Sequence, residues 1–587
     1  MSAISPEAER RRRLVTRAVP IALLAAAAFI VGAIAGGSNA ELSAARHFAQ
    51  DWERQDFAAM YGEISPTAAK RYPLADFTGD YAKAQETATA ARVATGDPAA
   101  AEAGGRQAAV VPVSFDTRAF GQISGRLVLP LAGDKIAWSP NLVFPGLGPG
   151  ERLVRHARIP ERAAILAHDG TPLAEGPATS RSSPLGAAAQ SVAGAVASPS
   201  PEQDRQLSQL GFPPGAPTGT SGLELAFNRR LAGQPGGQLV AVAAGGANPS
   251  SGGPVLASSK PVPGKPVHTT IDPGLQQTAV AALGGRYGGV AVLDARDGSV
   301  LALAGIAFSG PQPPGSTFKL ITTTAALEAG VVKLTDQFPI QTSTVVGGRE
   351  VANAHNEACG GSFVQAFAES CNSVFVPLGP KIGSQRLVAA AERYGFNSPP
   401  SLFNHETIRT VNPPESTIPA SIPDDLDLGV SAIGQGQVLA TPLEMASVAQ
   451  TIAHGGLRSP TPMVSDRKLR PAAKPVRESS EQVATTLRNL MIQVVTSGTG
   501  TAAALPGVQV AGKTGTAELG PRALEPGQAQ TPGAAPEQKL DAWFTAFAPA
   551  NDPKLAAAAM VVNANGDGGT VAAPIVRQIL AAGLGVG

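Results

Sequence analysis

The sequence predicts a multidomain α+β protein whose last region is an antiparallel sheet with a helical lobe inserted between distant strands. Three observations lead there. Short apolar, strand-like runs stand at both ends of the stretch from Val267 onward, with helical segments between them. An earlier stretch pairs a helical pattern with alternating strands, and the chain opens on arginines followed by a long uncharged run.

The opening comes first in chain order. Arg10 to Arg13 and Arg17 precede an uncharged run from Ala18 to Ala35, long enough to cross a bilayer as a helix. The basic flank then stays cytoplasmic and places the rest of the chain outside. A cleavable signal is the rival reading, because Ser38-Asn39-Ala40 resembles a small-residue cleavage site. From Asn39, a possible helix cap, apolar positions include Phe48, Trp52 and Tyr61; Val111, Val113, Phe115 and Leu127, Leu129, Leu131 alternate as strands do. No His, Cys or carboxylate cluster marks this small α+β domain, so it reads as a spacer. The next stretch is rich in Ala, Ser, Gly and Pro. Gly176 to Pro217 and Gly245 to Pro263 read as loops, while Gly222 to Leu225 and Gln238 to Val242 indicate partial folding.

In the last region Val290 to Asp294 and Val300 to Leu303 flank Ala295-Arg296-Asp297-Gly298, a hairpin signal. Val508 to Ala511, Trp543 to Ala548 and Ala558 to Val562 supply three further strands, and Val571 to Leu584 reads as a closing amphipathic helix. Composition narrows the functions: the 587 residues carry 46 Lys and Arg against 45 Asp and Glu, which leaves no basic field for nucleic acid. Two cysteines and no Cys-x-x-Cys exclude a disulfide scaffold, zinc fingers and thioredoxin chemistry.

Three short motifs follow one another in this region: Ser316-Thr317-Phe318-Lys319, Ser370-Cys371-Asn372 and Lys513-Thr514-Gly515. Pro311, Pro313, Pro314 and Gly315 are poor helix interior and a good helical run follows, so Ser316 is expected in the first turn of a helix. Lys319 lies on the same face, within reach of the hydroxyl. A serine hydroxyl needs a base, and a lysine serves once burial, the helix terminus and a second cation such as Lys513 lower its pKa. Free N–H groups at the helix start can face a developing oxyanion. Lys513-Thr514-Gly515-Thr516 follows an apolar run and falls on a strand whose edge can pair with an extended peptide. Gly515 there keeps the strand open to substrate, and Thr516 offers a second oxyanion N–H. Lys513, Thr514 and Thr516 suit a substrate carboxylate. Ser370 would relay a proton and Asn372 orient the acyl amide. Lys319 is expected to be neutral and Lys513 charged.

Further residues carry a resemblance. Pro314 to Lys319, Gly434-Gln435-Gly436 with Thr441-Pro442, Ala511 to Ala517 and Ala542-Trp543-Phe544 resemble the transpeptidase domain of class B, monofunctional penicillin-binding proteins. Arg162 to Leu166 with Asp169 to Ala174 resemble that family's pedestal, and Trp138 to Pro145 resemble the end of the nuclear-transport-factor-like domain of its methicillin-resistance types. The resemblance implies a cytoplasmic tail at 1–17, a transmembrane anchor at 18–36, a nuclear-transport-factor-like domain at 39–147, a pedestal or dimerisation-like region at 148–265 and a transpeptidase domain at 266–587. It implies a peptidoglycan D,D-transpeptidase of the cell membrane, its catalytic domain outside the cytoplasm. Ser316 would be acylated by stem peptides or by β-lactams, with no cofactor, no metal and no nucleic acid, and with a glycan polymerase as partner. A D,D-carboxypeptidase and a non-catalytic penicillin-binding scaffold are the alternatives. Cys359 and Cys371, twelve residues apart in an exported segment, are expected to form a disulfide that fixes Ser370 and Asn372. Two free buried thiols, or a metal site with His355, remain open.

Overall fold

A computed structural model describes residues 39–243, 253–521 and 538–586. The anchor expected at 18–36 lies outside the described residues, and among these no helix is long and apolar enough to cross a membrane. The chain divides into two compact units, one made of 1–160, 199–216 and 234–263, the other of 161–198, 217–233 and 264–587.

In the first unit four helices between Asn39 and Ala88 accompany an antiparallel sheet built around Arg106–Thr117 and Gly121–Ala132. Alternation placed the right residues inside. Val111 lies opposite Leu127, and Val111, Val113, Phe115, Leu127, Leu129 and Leu131 are all buried. Trp52, Phe48, Phe77 and Tyr81 fill the space between helices and sheet, and Trp138 Nε1 donates to the Tyr81 hydroxyl at 3.2 Å, which gives both buried polar groups a partner. A second antiparallel sheet of Glu151–Arg158, Gly236–Ala243 and Val255–Ser259 belongs to this unit.

Segments of the stretch 148–265 divide between the two units. The stretch 176–217 is not all loop. It holds the helices Ala187–Ala193 and Pro201–Gln209, the second started by a reciprocal Ser200–Gln203 capping box. The first is nearly all small residues and the second nearly all polar, so neither shows an apolar period, and only the second has a cap to betray it. Val255–Ser259, within 245–263, likewise pairs as a strand although Gly and Pro surround it.

The second unit is organised by one five-stranded antiparallel sheet. Its strands are Gly288–Asp294 (β1), Val300–Gly305 (β2), Ala511–Pro521 (β3), Gln538–Ala548 (β4) and Leu555–Ala564 (β5), in the spatial order β2-β1-β5-β4-β3. The expected hairpin joins β1 to β2: Asp294 Oδ1 accepts from Arg296 N–H at 2.9 Å, and Gly298 takes φ +78° where a Cβ would meet the Pro460 carbonyl at 2.3 Å. Helices Pro273–Leu283 (α1) and Ala573–Leu584 (α4) cover one face through Val290, Phe544, Ala559 and Ile579. The other face, with Leu293, Trp543 and Met560, carries the helical lobe, including Lys319–Glu328 (α2) and Glu481–Thr496 (α3). Helix Pro442–Ala453 starts at Thr441, whose Oγ1 accepts from Glu444 N–H, and receives the Thr545 hydroxyl on the Met445 carbonyl at 2.8 Å. Beta3 ends the sheet and so has a free edge.

Below the lobe, Glu224 is almost fully buried between Arg162, at 2.6 Å, and Arg181, at 2.7 Å. The arginines also donate to backbone carbonyls, which ties Arg162 to the Glu224 carbonyl and Arg181 to those of Ala163 and Ala174. Removing the carboxylate leaves two cations, one buried and one nearly so, unneutralised, so Glu224→Ala should lower the stability of this unit by about 3–5 kcal/mol. Urea unfolding followed by tryptophan fluorescence and by penicillin labelling measures it.

Candidate active site

Ser316 stands in a 3-10 turn, Gly315–Phe318, rather than in the α-helix itself, which begins at Lys319. Glycine makes the turn possible. Gly315 has φ +53°, its N–H donates to the Gly434 carbonyl at 2.9 Å, and a Cβ on it would meet the Thr516 carbonyl at 2.6 Å. A Cβ on Gly434 would lie 2.2 Å from the Gly315 carbonyl. Gly515 answers from β3: a Cβ there would meet the Pro314 carbonyl at 2.6 Å and Thr317 Cγ2 at 2.9 Å. Its absent side chain makes room for the serine turn, not for substrate as the sequence reading had it. The three glycines let the turn carrying Ser316 lie directly on β3.

Lys319 and Lys513 are fully buried, while Ser316 is partly exposed. The amines meet on Ser370. Lys319 Nζ donates to the Ser370 carbonyl at 2.7 Å and Asn372 Oδ1 at 2.8 Å, with Ser370 Oγ at 3.3 Å. Lys513 Nζ donates to Ser370 Oγ at 2.8 Å and to the Thr514 carbonyl at 3.1 Å. Phe375 lies under Lys319 Nζ at 5.0 Å and Phe367 under Lys513 Nζ at 5.8 Å. No carboxylate pairs with either amine among the described residues.

Burial, and then the charge of Lys513, push the Lys319 pKa well below the lysine range; burial brings Lys513 from 10.5 down to about 7. The neutrality expected of Lys319 has its physical cause here. The charge expected of Lys513 is held less firmly than on a free lysine, because burial lowers its pKa to about 7. A neutral Lys319 has two N–H groups, which the Ser370 carbonyl and Asn372 Oδ1 take up, and one lone pair left to accept a proton. Ser370 Oγ, accepting from Lys513, keeps its own proton to pass on.

Ser370, at φ +62°, is held by the loop around it. Cys359 and Cys371 are disulfide-bonded, with Cα atoms 5.7 Å apart, so the thiol and metal alternatives do not apply. Asn372 Nδ2 donates one N–H to the Ala352 carbonyl at 3.0 Å and retains a second, while its Oδ1 accepts from Lys319. Thr514 shares a hydroxyl contact of 2.5 Å with Thr499, and Thr516 Oγ1 accepts from Gly568 N–H at 3.3 Å. Sequence reading missed Phe367, Phe375, Thr499 and Gly568. Only the turn Ser497-Gly498-Thr499-Gly500 after α3 carried a local signal.

Comparison with known proteins follows these features. Residues 288–581 match the penicillin binding protein transpeptidase domain and residues 175–269 the penicillin-binding protein dimerisation domain. The peptidoglycan D,D-transpeptidase PbpA of Mycolicibacterium smegmatis is 38% identical over 315 residues, covering 49% of this chain and 58% of that protein. Its namesake in Mycobacterium tuberculosis is 37% identical over 309 residues, again 49% and 58%. The chain thus spans less than two thirds of these relatives. Penicillin-binding protein A of M. tuberculosis, solved as a ceftriaxone acyl-enzyme, superposes with TM-score 0.55 at 29% identity over 72% of this chain and 98% of that one. A D,D-transpeptidase domain from Eggerthella lenta gives TM-score 0.55 at 26% identity over 73% and 98%.

Two outcomes follow from the geometry. Acylation by penicillin should rise with pH as Lys319 loses its proton and fall again above about 7 as Lys513 loses the charge that attracts a carboxylate. Lys319→Ala should remove the rising limb and slow acylation about 100-fold or more. The same depressed values make the unfolded chain bind more protons between about 7 and 10.5, so stability rises with pH across that window. Stopped-flow acylation and urea titrations from pH 5 to 10 read both. The unreduced, denatured protein should show no reactive thiol, and reduction should slow acylation by loosening Ser370 and Asn372.

Proposed function

Because the chain belongs to the penicillin-binding protein transpeptidase family, we propose that it is a class B peptidoglycan D,D-transpeptidase that cross-links stem peptides through an acyl-enzyme on Ser316. The observation that carries this reading is the pair of buried lysines meeting on Ser370 beside a partly exposed serine. Lys319 takes the Ser316 proton as the oxygen attacks the penultimate D-Ala carbonyl. Backbone N–H groups of Ser316 and Thr516 face the oxyanion. The tetrahedral intermediate collapses, the peptide bond breaks and D-Ala leaves, protonated through Ser370 from the lysine pair. An acceptor amine then attacks the ester, gives up its proton along the same route and frees Ser316. Lys513, Thr514 and Thr516 hold the substrate carboxylate, Gly515 keeps the turn seated, and Asn372 swings from Lys319 to the acyl amide. β-Lactams enter by the same attack and remain as stable esters.

The free edge of β3 supports a peptide donor laid alongside it. In the same proposal the chain has a single anchor at 18–36, an extracytoplasmic catalytic domain, a nuclear-transport-factor-like domain at 39–147, a pedestal at 148–265 ahead of a transpeptidase domain at 266–587, and a glycan polymerase as partner. The helices and antiparallel sheet of residues 39–136 support the second of these domains.

Mass spectrometry after incubation with penicillin should show one adduct, on Ser316, and Ser316→Ala should show none. With a D-Ala-D-Ala stem peptide and an amine acceptor, a cross-linked product supports transpeptidation. Release of D-Ala without it identifies a carboxypeptidase, and no adduct at all identifies a scaffold.

A further inference from the structure

One ionisable pair stands beside the site and has no part in the chemistry above. His355 Nε2 lies 3.8 Å from Asp567 Oδ2, and both side chains are open to solvent. Each belongs to a different wall. His355 follows Asn353, whose buried side chain accepts from Ser373 N–H at 2.8 Å and donates to the carbonyls of Gln341 and Glu357; next to it the Ala352 carbonyl receives Asn372. Asp567 precedes Gly568, which donates to Thr516 Oγ1 and lies so close to β3 that a Cβ would meet the Gly515 carbonyl at 2.4 Å. The pair therefore joins the wall of Asn372 to the strand of Gly515 and Thr516.

His355 and Asn356 both take φ +55°, a left-handed conformation that costs a non-glycine residue free energy and persists only where surroundings impose it. Here Asn353 and the Cys359–Cys371 bridge impose it. The contact itself is weak, as exposed ion pairs are, so it contributes little to folding and parts readily.

We propose that His355 and Asp567 are specificity-determining residues, a clasp over the groove that a peptide strand lying along β3 must part and that a compact β-lactam passes beneath. The proposal rests on the serine acyl-transfer reading. His355→Asn suits the left-handed backbone, and Asp567→Asn keeps the acceptor that receives Thr570 N–H at 2.8 Å, so both variants remove the pair without removing the loop or the cap. In the full chain, each single variant and the double variant should be acylated about two- to five-fold faster by a stem-peptide thioester, with the penicillin rate unchanged. The double variant should match the singles, because one contact is lost once. Equal changes with both reagents, additive effects, slower thioester acylation or no change in any variant overturns the clasp while leaving the acyl-enzyme standing. Failure of the parent to be acylated by either reagent overturns the acyl-transfer reading and the clasp with it.

Discussion

Two lysine amines share one serine hydroxyl in a buried site, with no carboxylate paired to either among the described residues, and the architecture of the second unit serves to keep them there. A fully charged pair would be costly in such a place, by several kcal/mol for each ion. The cavity tolerates them because neither amine holds its proton firmly. What surrounds them is chosen accordingly: carbonyl and hydroxyl oxygens that accept from an amine in either state, and the faces of Phe367 and Phe375, which exclude water yet favour whatever charge remains. A carboxylate in the same cavity would restore full charge to both lysines and end their use as bases.

Bringing the amines together requires three distant stretches of chain to meet within one hydroxyl's reach, and glycine is what allows it. Gly315, Gly434 and Gly515 occupy successive surfaces of the same joint, each with a neighbour's backbone where a methyl group would be. Backbone carbonyls make the nearest contact at each of the three, so the joint's geometry follows chiefly from the backbone. Alanines 556 to 559 in β5 do related work within the sheet, letting helices approach both faces closely.

Much of this was legible beforehand. Alternation at Val111, Val113 and Phe115 and the turn at Ala295 to Gly298 are local signals, and each fell where it predicted; the proline-glycine run marked the approach to a helix, but Ser316 sits in a 3-10 turn ahead of it. Lys319, Ser370 and Lys513 were legible because the proposed chemistry demands a lysine near a serine. The direction in which Gly515 faces was not, since strand register decides it, nor was the partial loss of charge on Lys513, which depends on walls contributed from elsewhere. Phe367 and Phe375 read as ordinary core residues in sequence, and only their position beneath the amines distinguishes them. The division of 148–265 between two units is a matter of tertiary contact and left no trace in composition.

The sheet order has a consequence for synthesis of the chain. Beta1 and β2 emerge early, but β1 pairs with β5, Gly288 opposite Val561, and the turn holding Ser316 rests on β3 at Gly515. While the ribosome is still translating the lobe, the nascent polypeptide holds a nucleophile with no strand behind it and an unpaired apolar hairpin. Long-range closures of this kind are slow and leave surface open to misassociation. A chain released before residue 511 would carry Ser316, Lys319 and Ser370 but lack both the strand on which their turn rests and the amine of Lys513, so the site is assembled only as translation nears its end.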